Sequence, residues 1–330
     1  MERKWFKGDT HLHTINSDGV LTKGQLVEYC KKQGLNFIII TDHNYNTVEK
    51  SYYDDDMLVI QGQELTDDNG HVNIWGTKVP EEPPYTLNTR EDYEKIIAKC
   101  KEAGATVSLN HPFCSMCGFK FDINGMYCDC VEVWNTIQHS DNMVNRDWWV
   151  NQLLAGNRIP AVGGSDFHKE YIPGVKLLIS CPTTIVLAED NTADAILTAM
   201  REGRSVVTNS PSSTMIYLTC GDAVIGDSVP FEKGKRVDIK LTNLFRHHKV
   251  TVFNNKTPIF SFDSGCKKYK EYSFSCEVKE KGFVRAEVTY EYKGIAKKTY
   301  KFAEEKYLGC KNTNGFPPFI RAFTNPIWFE

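Results

Sequence analysis

Along the first two hundred residues, apolar and polar positions fall into short apolar runs separated by stretches of helical spacing. The run NFIIITDHN (36–44) is continuous and of strand length, the pattern of a parallel strand covered on both faces. KWFKGDTHLHT makes the first strand, and MLVIQG, HVNIWG, ATVSLN, CVEVWN, IPAVGG and TTIVL supply others. Between them, Thr22 caps a helix whose apolar positions Leu26, Val27 and Cys30 keep helical spacing and which Gly34 stops. Residues 91–103 carry Ile96, Ile97 and Cys100 on one stripe ahead of Gly104, and residues 141–155 and 192–202 read as helices too. Strands alternating with helices predict an α/β domain, with a parallel sheet or barrel, over residues 1–210.

The texture then changes. STMIYLTC, RVDIKLTN, KVTVFNN, YSFSCEV and FVRAEVTYEYKG alternate apolar and polar residues between turn formers, which predicts a small antiparallel β-sandwich over 211–305. Residues 306–330, ending GCKNTNGFPPFIRAFTNPIWFE, are too aromatic for a solvated tail and are expected to pack back on the body. Trp148 and Trp149 are expected to bury area in the same way.

Composition narrows the function classes. With 330 residues, 41% of them hydrophobic, the chain can bury a large core, and a formal charge of −3 gives no electrostatic case for a nucleic acid polymer or an anionic membrane. MERKWFKGD lacks the apolar core of a signal peptide and no run approaches a membrane span, so a cytoplasmic protein is expected. The 11 cysteines, an odd number spread from Cys30 to Cys310, suit reduced thiols better than a disulfide framework. Nothing in the sequence fixes an oligomeric state.

Chemistry gathers at the strand ends. His11 and His13 close the first strand, and alternation along a strand sends both imidazoles to one side. His43 follows FIIIT, Glu64 follows LVIQGQ, His111 follows TVSLN, and Asp166 and His168 follow IPAVGGS. One histidine after a strand is usually a cap. Six of the nine histidines, His71 among them, lie at such places, and in α/β barrels catalytic groups collect at the carboxyl ends of the strands. Imidazole and carboxylate donors without thiolates indicate Zn, Mn or Fe, and so many donors imply more than one ion. A carboxylate such as Glu64 is able to bridge two of them, the arrangement of metal-assisted hydrolysis.

DTHLHTINSDG, ITDHN, GQELTDDNGHVNIWG, SLNHP, VEVWN and GGSDFH, in that order, resemble the successive motifs of the PHP (polymerase and histidinol phosphatase) superfamily. TTIVLAEDNTADAILTAMREGRSVVTNSP and the ending AFTNPIWFE are similar to its CehA/McbA branch of metallohydrolases. The resemblance implies a distorted seven-stranded β/α (TIM-like) barrel with a trinuclear site of two to three divalent ions, beside the C-terminal β-sandwich. It assigns one ion to His11, His13, Glu64 and Asp166, a second to Glu64, His71 and His111, and a third to Asp18, His43 and His168. Glu64, His71 and Asp166 are then the catalytic candidates, although His71 is either a ligand or a group orienting one. Gly19 is read as easing the turn that carries Asp18. The activity implied is hydrolysis of a small phosphomonoester or nucleotide by a metal-bridging hydroxide; the alternative is a carboxyl or carbamate ester split by the same site.

Other positions carry two readings. Asp42 is either an acceptor for a ligating histidine or a strand-end cap, and Asn135 either faces the pocket or closes a turn. Asn135, His139, Arg146 and Lys169 are the candidate contacts to substrate, with Arg146 equally readable as a solvated helix residue. Cys114, Cys117, Cys128 and Cys130 have spacing that a structural zinc would accept, and burial explains the second pair equally well. A third class of function treats the 211–305 region as a binding module on an inert barrel, against which stands the cost of burying unpaired carboxylates and imidazoles.

Overall fold

A computed structural model describes residues 2–169, 178–311 and 316–330 of the chain. The N-terminal half contains β1 (Lys4–Leu12), α1 (Lys23–Lys32), β2 (Phe37–Ile40), β3 (Tyr52–Asp54), β4 (Met57–Asp67), β5 (Gly70–Trp75), α2 (Arg90–Glu102) and β6 (Thr106–Leu109). There follow β7 (Cys130–Asn135), α3 (Ser140–Leu154), β8 (Ala161–Gly164), β9 (Thr183–Ala188), α4 (Ala193–Arg201) and β10 (Ser205–Thr208). The local signals act as read. Thr22 and Gln25 form a capping box at α1, Leu26, Val27 and Cys30 are buried, and Gly34 ends the helix at φ +75°.

These strands share one curled sheet in the order β8-β7-β6-β5-β4-β2-β1-β9-β10. It is mixed rather than parallel. β5 runs antiparallel to both β4 and β6, because only Asp68 and Asn69 join β4 to β5 and so short a link allows no parallel crossover. β9 is antiparallel to β1 and to β10. The curl brings the chain after β8 back to β1, where Leu12 and Phe167 form a bridge and the Asp166 N–H donates to the His11 carbonyl at 2.9 Å. The carboxyl ends of β1, β2, β7 and β8 thereby face one another.

Beyond residue 210 come β11 (Met215–Cys220), β12 (Ala223–Val224), β13 (Ser228–Val229), β14 (Arg236–Leu244), β15 (His248–Asn254), β16 (Thr257–Asp263), β17 (Tyr269–Glu277) and β18 (Gly282–Tyr290). The chain closes with α5 (Gly294–Tyr307), β19 (Phe319–Thr324) and β20 (Ile327–Phe329). A four-stranded sheet, β12-β11-β14-β17, lies apart. The other strands extend the curled sheet itself, since β19 pairs antiparallel with β10 on one side and β18 on the other. Apolar residues of both sheets, Ile216, Leu241, Val250 and Val288 among them, share one core. Residues 319–324 and 327–329 of the aromatic ending are buried strand apart from half-buried Arg321, while 312–315 lie outside the described residues. Trp149 is fully buried with its ring centroid 5.6 Å from that of Phe323. No helix among the described residues is long and apolar enough to cross a membrane.

Candidate metal centre

His11 and His13 straddle Leu12 at the end of β1. Alternation turns both imidazoles inward while Leu12 joins the core on the other face. His11, His13 and Glu64 are completely buried, and a second carboxylate, Asp166, meets them from the loop after β8. His11 Nε2 lies 3.2 Å from Glu64 Oε1 and 3.2 Å from Asp166 Oδ1, and His13 Nε2 lies 3.1 Å from the same Asp166 oxygen. His71 Nδ1 and His111 Nε2 stand 3.2 and 3.5 Å from Glu64 Oε1, and His43 Nδ1 is 2.8 Å from Glu64 Oε2. With His13 Nε2 3.6 Å from Glu64 Oε2, this one buried carboxylate is ringed by five imidazoles.

The outer part of the cluster is more open. Asp18 Oδ1 is 3.1 Å from His168 Nε2 and 3.5 Å from His43 Nε2, and its side chain is 60% exposed. Donor atoms of His13, Asp18, His43 and His168 lie within 4.8 Å of one another, as do those of His11, His13 and Asp166, of His11, Glu64 and His111, and of His71, His111 and Cys117. All nine residues expected to hold metal are therefore in one place, with access from the Asp18 side.

The donor set fits divalent cations. His11 Nε2, His13 Nε2, His71 Nδ1, His111 Nε2 and Asp166 Oδ1 are buried and have no hydrogen-bond partner among the described residues. These atoms crowd one another at ion-pair distance without forming hydrogen bonds, a buried polar atom so left costs about 1–3 kcal/mol, and a cation held among them would satisfy all five. Bonds of ~2.0–2.2 Å to a tetrahedral zinc would separate donors by roughly 3.3 Å, close to the spacings found here.

Two histidines are also held from behind: His11 Nδ1 meets Glu132 Oε1 at 3.0 Å and His168 Nδ1 meets the Asp166 carbonyl at 2.9 Å, while His43 Nδ1, the nitrogen turned to Glu64, also meets Thr66 Oγ1 at 2.6 Å. Asn110 donates to Glu64 Oε1 at 2.7 Å, and Asn135 donates to Asp166 Oδ2 at 3.1 Å and Glu132 Oε2 at 3.0 Å. Gly164 is required by this packing, because a Cβ there would lie 2.4 Å from His11 Cβ and 2.7 Å from Glu132 Oε1. His111 and Asp166 hold φ of +29° and +49°, a left-handed backbone that costs non-glycine residues energy and concentrates at functional sites.

Charges are strongly coupled. Burial disfavours an ionised His11, yet Asp166, Glu64 and Glu132 outweigh it and hold the ring's pKa well above the ordinary range. Burial likewise opposes ionised Glu64 and Asp166, and the surrounding imidazoles, His11 first, hold both carboxyls well below theirs. The same opposition leaves His111 raised to about 9, while burial brings His13 down to about 4. The pocket is built to keep its two central carboxylates ionised.

Several sequence readings change. Asp42 acts at the strand ends: just after β2 it accepts from Thr14 N, just past β1, and from Ser17 Oγ at 2.7 and 2.6 Å, bracing the loop that carries Asp18. Gly19 is needed for close approach rather than turn geometry, since a Cβ would sit 2.5 Å from the His13 carbonyl oxygen. Arg146 faces Glu287 at 3.0 Å and Asp147 at 2.6 Å, not the cluster. His139 is buried at the start of α3 with its Nδ1 3.3 Å from Cys310 Sγ, so it is no open contact for a ligand. Lys169 is exposed directly after His168. The four cysteines do not converge: Cys114 and Cys117 sulfurs are 3.2 Å apart, whereas Cys128 and Cys130 belong to no donor cluster among the described residues. Cys117 instead lies 3.6 Å from His111 Nδ1.

Glu132 and Asn110 escaped the sequence reading. The available signal was Glu132 itself, an ionisable residue in the otherwise apolar CVEVW.

No family model matches the chain. An uncharacterized protein of Methanocaldococcus jannaschii is 31% identical over 158 residues, a match that covers 42% of this chain and 86% of that protein. A two-domain protein from Bacteroides vulgatus, described as containing a predicted PHP-like metal-dependent phosphoesterase, superposes with a TM-score of 0.50 at 18% identity, covering 87% of this chain and 91% of its own. That likeness is one of fold.

Proposed function

The chain belongs to the family of the Methanocaldococcus jannaschii protein, and from that footing we propose that it is a metal-dependent hydrolase of the PHP superfamily, in its CehA/McbA-like branch. The substrate proposed is a small phosphomonoester or nucleotide. The observation that carries the reading is the set of five buried, unpartnered donor atoms around Glu64 and Asp166. The fold shared with the Bacteroides vulgatus protein supports it.

In this reading His11, His13, Glu64 and Asp166 hold one ion, Glu64, His71 and His111 a second, and Asp18, His43 and His168 a third. Bound divalent ions supply a water-derived nucleophile at neutral pH and neutralise charge developing on the substrate's oxygens. Glu64 and Asp166, kept ionised, provide the negative charge that retains the cations. Glu132 fixes which nitrogen of His11 faces inward. Substrate enters past exposed Asp18, with Lys169 at the rim as the candidate partner for an anionic group.

A second reading, hydrolysis of a carboxyl or carbamate ester, draws support from the engagement of Arg146 with Glu287, which takes one expected phosphate-binding cation out of play. A panel of aryl phosphates and aryl esters separates the two. The expected result is phosphate release by metal-loaded protein, abolished by chelation; ester cleavage without phosphate release would select the second reading, and neither would reject both. Metal analysis accompanies it: His111→Ala and Asp18→Ala should each lose a different fraction of the bound ions, and loss of all ions in both would reject the division of ligands.

A further inference from the structure

Away from the metal centre a cavity of about 570 Å³ opens between the end of β10 and the hairpin region of β14, β15 and β18. Arg246, Lys268 and Arg321 line it, and no carboxylate does among the described residues. The ion pairs among the described residues run between other side chains, for example Arg158–Glu330, Lys240–Glu271 and Lys293–Glu291. Arg321 is held by neutral partners, Asn209 Oδ1 at 3.1 Å and the Tyr292 hydroxyl at 2.8 Å. Three cations with no ion-pair partner among the described residues repel each other around one concavity and raise its potential; an anion there turns repulsion into attraction.

The wall between the cations is aromatic. Phe245, His248, Tyr290 and Tyr292 form an unbroken arc with successive ring centroids 5.7, 5.7 and 4.9 Å apart. Lys268 Nζ sits 4.6 Å over Phe245, and the Arg321 guanidinium lies 5.5 and 5.6 Å from Tyr290 and Tyr292. His248 Nδ1 is buried with no hydrogen-bond partner among the described residues. Burial, then Arg321 and His247, bring that imidazole's pKa down to about 4, so it is neutral and offers a flat face and a polar edge.

We infer that this cavity is a second ligand site, for a small organic anion that carries a flat ring, the class exemplified by a nucleoside monophosphate. The anionic group meets Arg246, Lys268 and Arg321, and the ring packs against the aromatic arc, whose neighbouring rings stand at 46°, 66° and 83° to one another, so that it meets one ring by the face and the next by the edge. The volume is that of a small-molecule pocket. The site shares no residue with the metal centre and needs no metal.

The test uses full-length protein stripped of metal by chelation, titrated calorimetrically with AMP, adenosine and inorganic phosphate. Saturable AMP binding is expected, with adenosine and phosphate each at least about 10-fold weaker. The Arg246→Ala/Lys268→Ala double variant, which alters only exposed side chains, should weaken AMP at least about 10-fold at unchanged melting temperature. Absence of AMP binding, equal binding by the double variant, or binding that appears only when metal is restored would each overturn the inference. Phosphate binding as tightly as AMP would overturn the ring requirement.

Discussion

His11 faces two ways: its Nδ1 is 3.0 Å from Glu132 Oε1, while its Nε2 is 3.2 Å from both Glu64 and Asp166. The rear contact decides the front one. With Glu132 as acceptor, Nδ1 keeps its proton, so Nε2 is the nitrogen that would give up its own to a bound cation. Glu132 also accepts from the His111 N–H at 3.1 Å, so one carboxylate orients two of the expected ligands.

Replacing Glu132 with glutamine should therefore lower metal affinity by about 10- to 100-fold without unfolding the chain. Competition against a chromophoric chelator measures it directly. Unchanged affinity would show that the His11 ring is fixed by packing alone.

Arg146 stands in a buried ion-pair group with Glu287, which Arg285 also contacts. Removing one partner of such a group leaves charge without full compensation, so Arg146→Met should cost about 3–5 kcal/mol, toward the lower end because Arg285 remains. Denaturant midpoints give the cost. Catalytic constants should change less than about 2-fold, and a 10-fold rise in KM at unchanged stability would return Arg146 to the substrate.

Glu304 is the one buried residue of α5, and it accepts hydrogen bonds from the backbone and hydroxyl of Ser140 at the start of α3. Burial raises its pKa from 4.5 to about 7. Between those values the folded carboxyl keeps a proton that the unfolded chain has released. Its contribution to stability is thus complete below pH ~4.5 and fades as pH rises through 7. After allowance for solvent screening the loss is roughly 1–2 kcal/mol. Glu304→Gln should flatten the decline of melting temperature between pH 5 and 8; an unaltered slope would assign that decline to other groups.

What the sequence disclosed and what it hid follow from range. The H-x-H pair, the apolar strands and the Thr22 cap are short-range features, dictated by alternation and local hydrogen bonding, and they can be read directly. The convergence of His11, Glu64, His111 and Asp166 was legible because each closes or follows a strand-length apolar run, although β4 continues past Glu64 to Asp67. Arg146 was misread because its partner is 141 residues away. α5 went unseen because its one buried residue is an acid, leaving no apolar stripe to recognise. The continuation of the curled sheet through β19 was hidden because no local pattern specifies pairing across a hundred residues.

That pairing orders events during synthesis. Until residues 319–324 emerge from the ribosome, β10 presents Val206 and Val207 along an open rim, a template for any other nascent strand. Asn325, whose amide joins Ala161 to Ser205, arrives just behind them. The half of the molecule that bears the clustered histidines around Glu64 is therefore translated first and completed last, and its vulnerability to aggregation ends only when the seam is sewn from the other end.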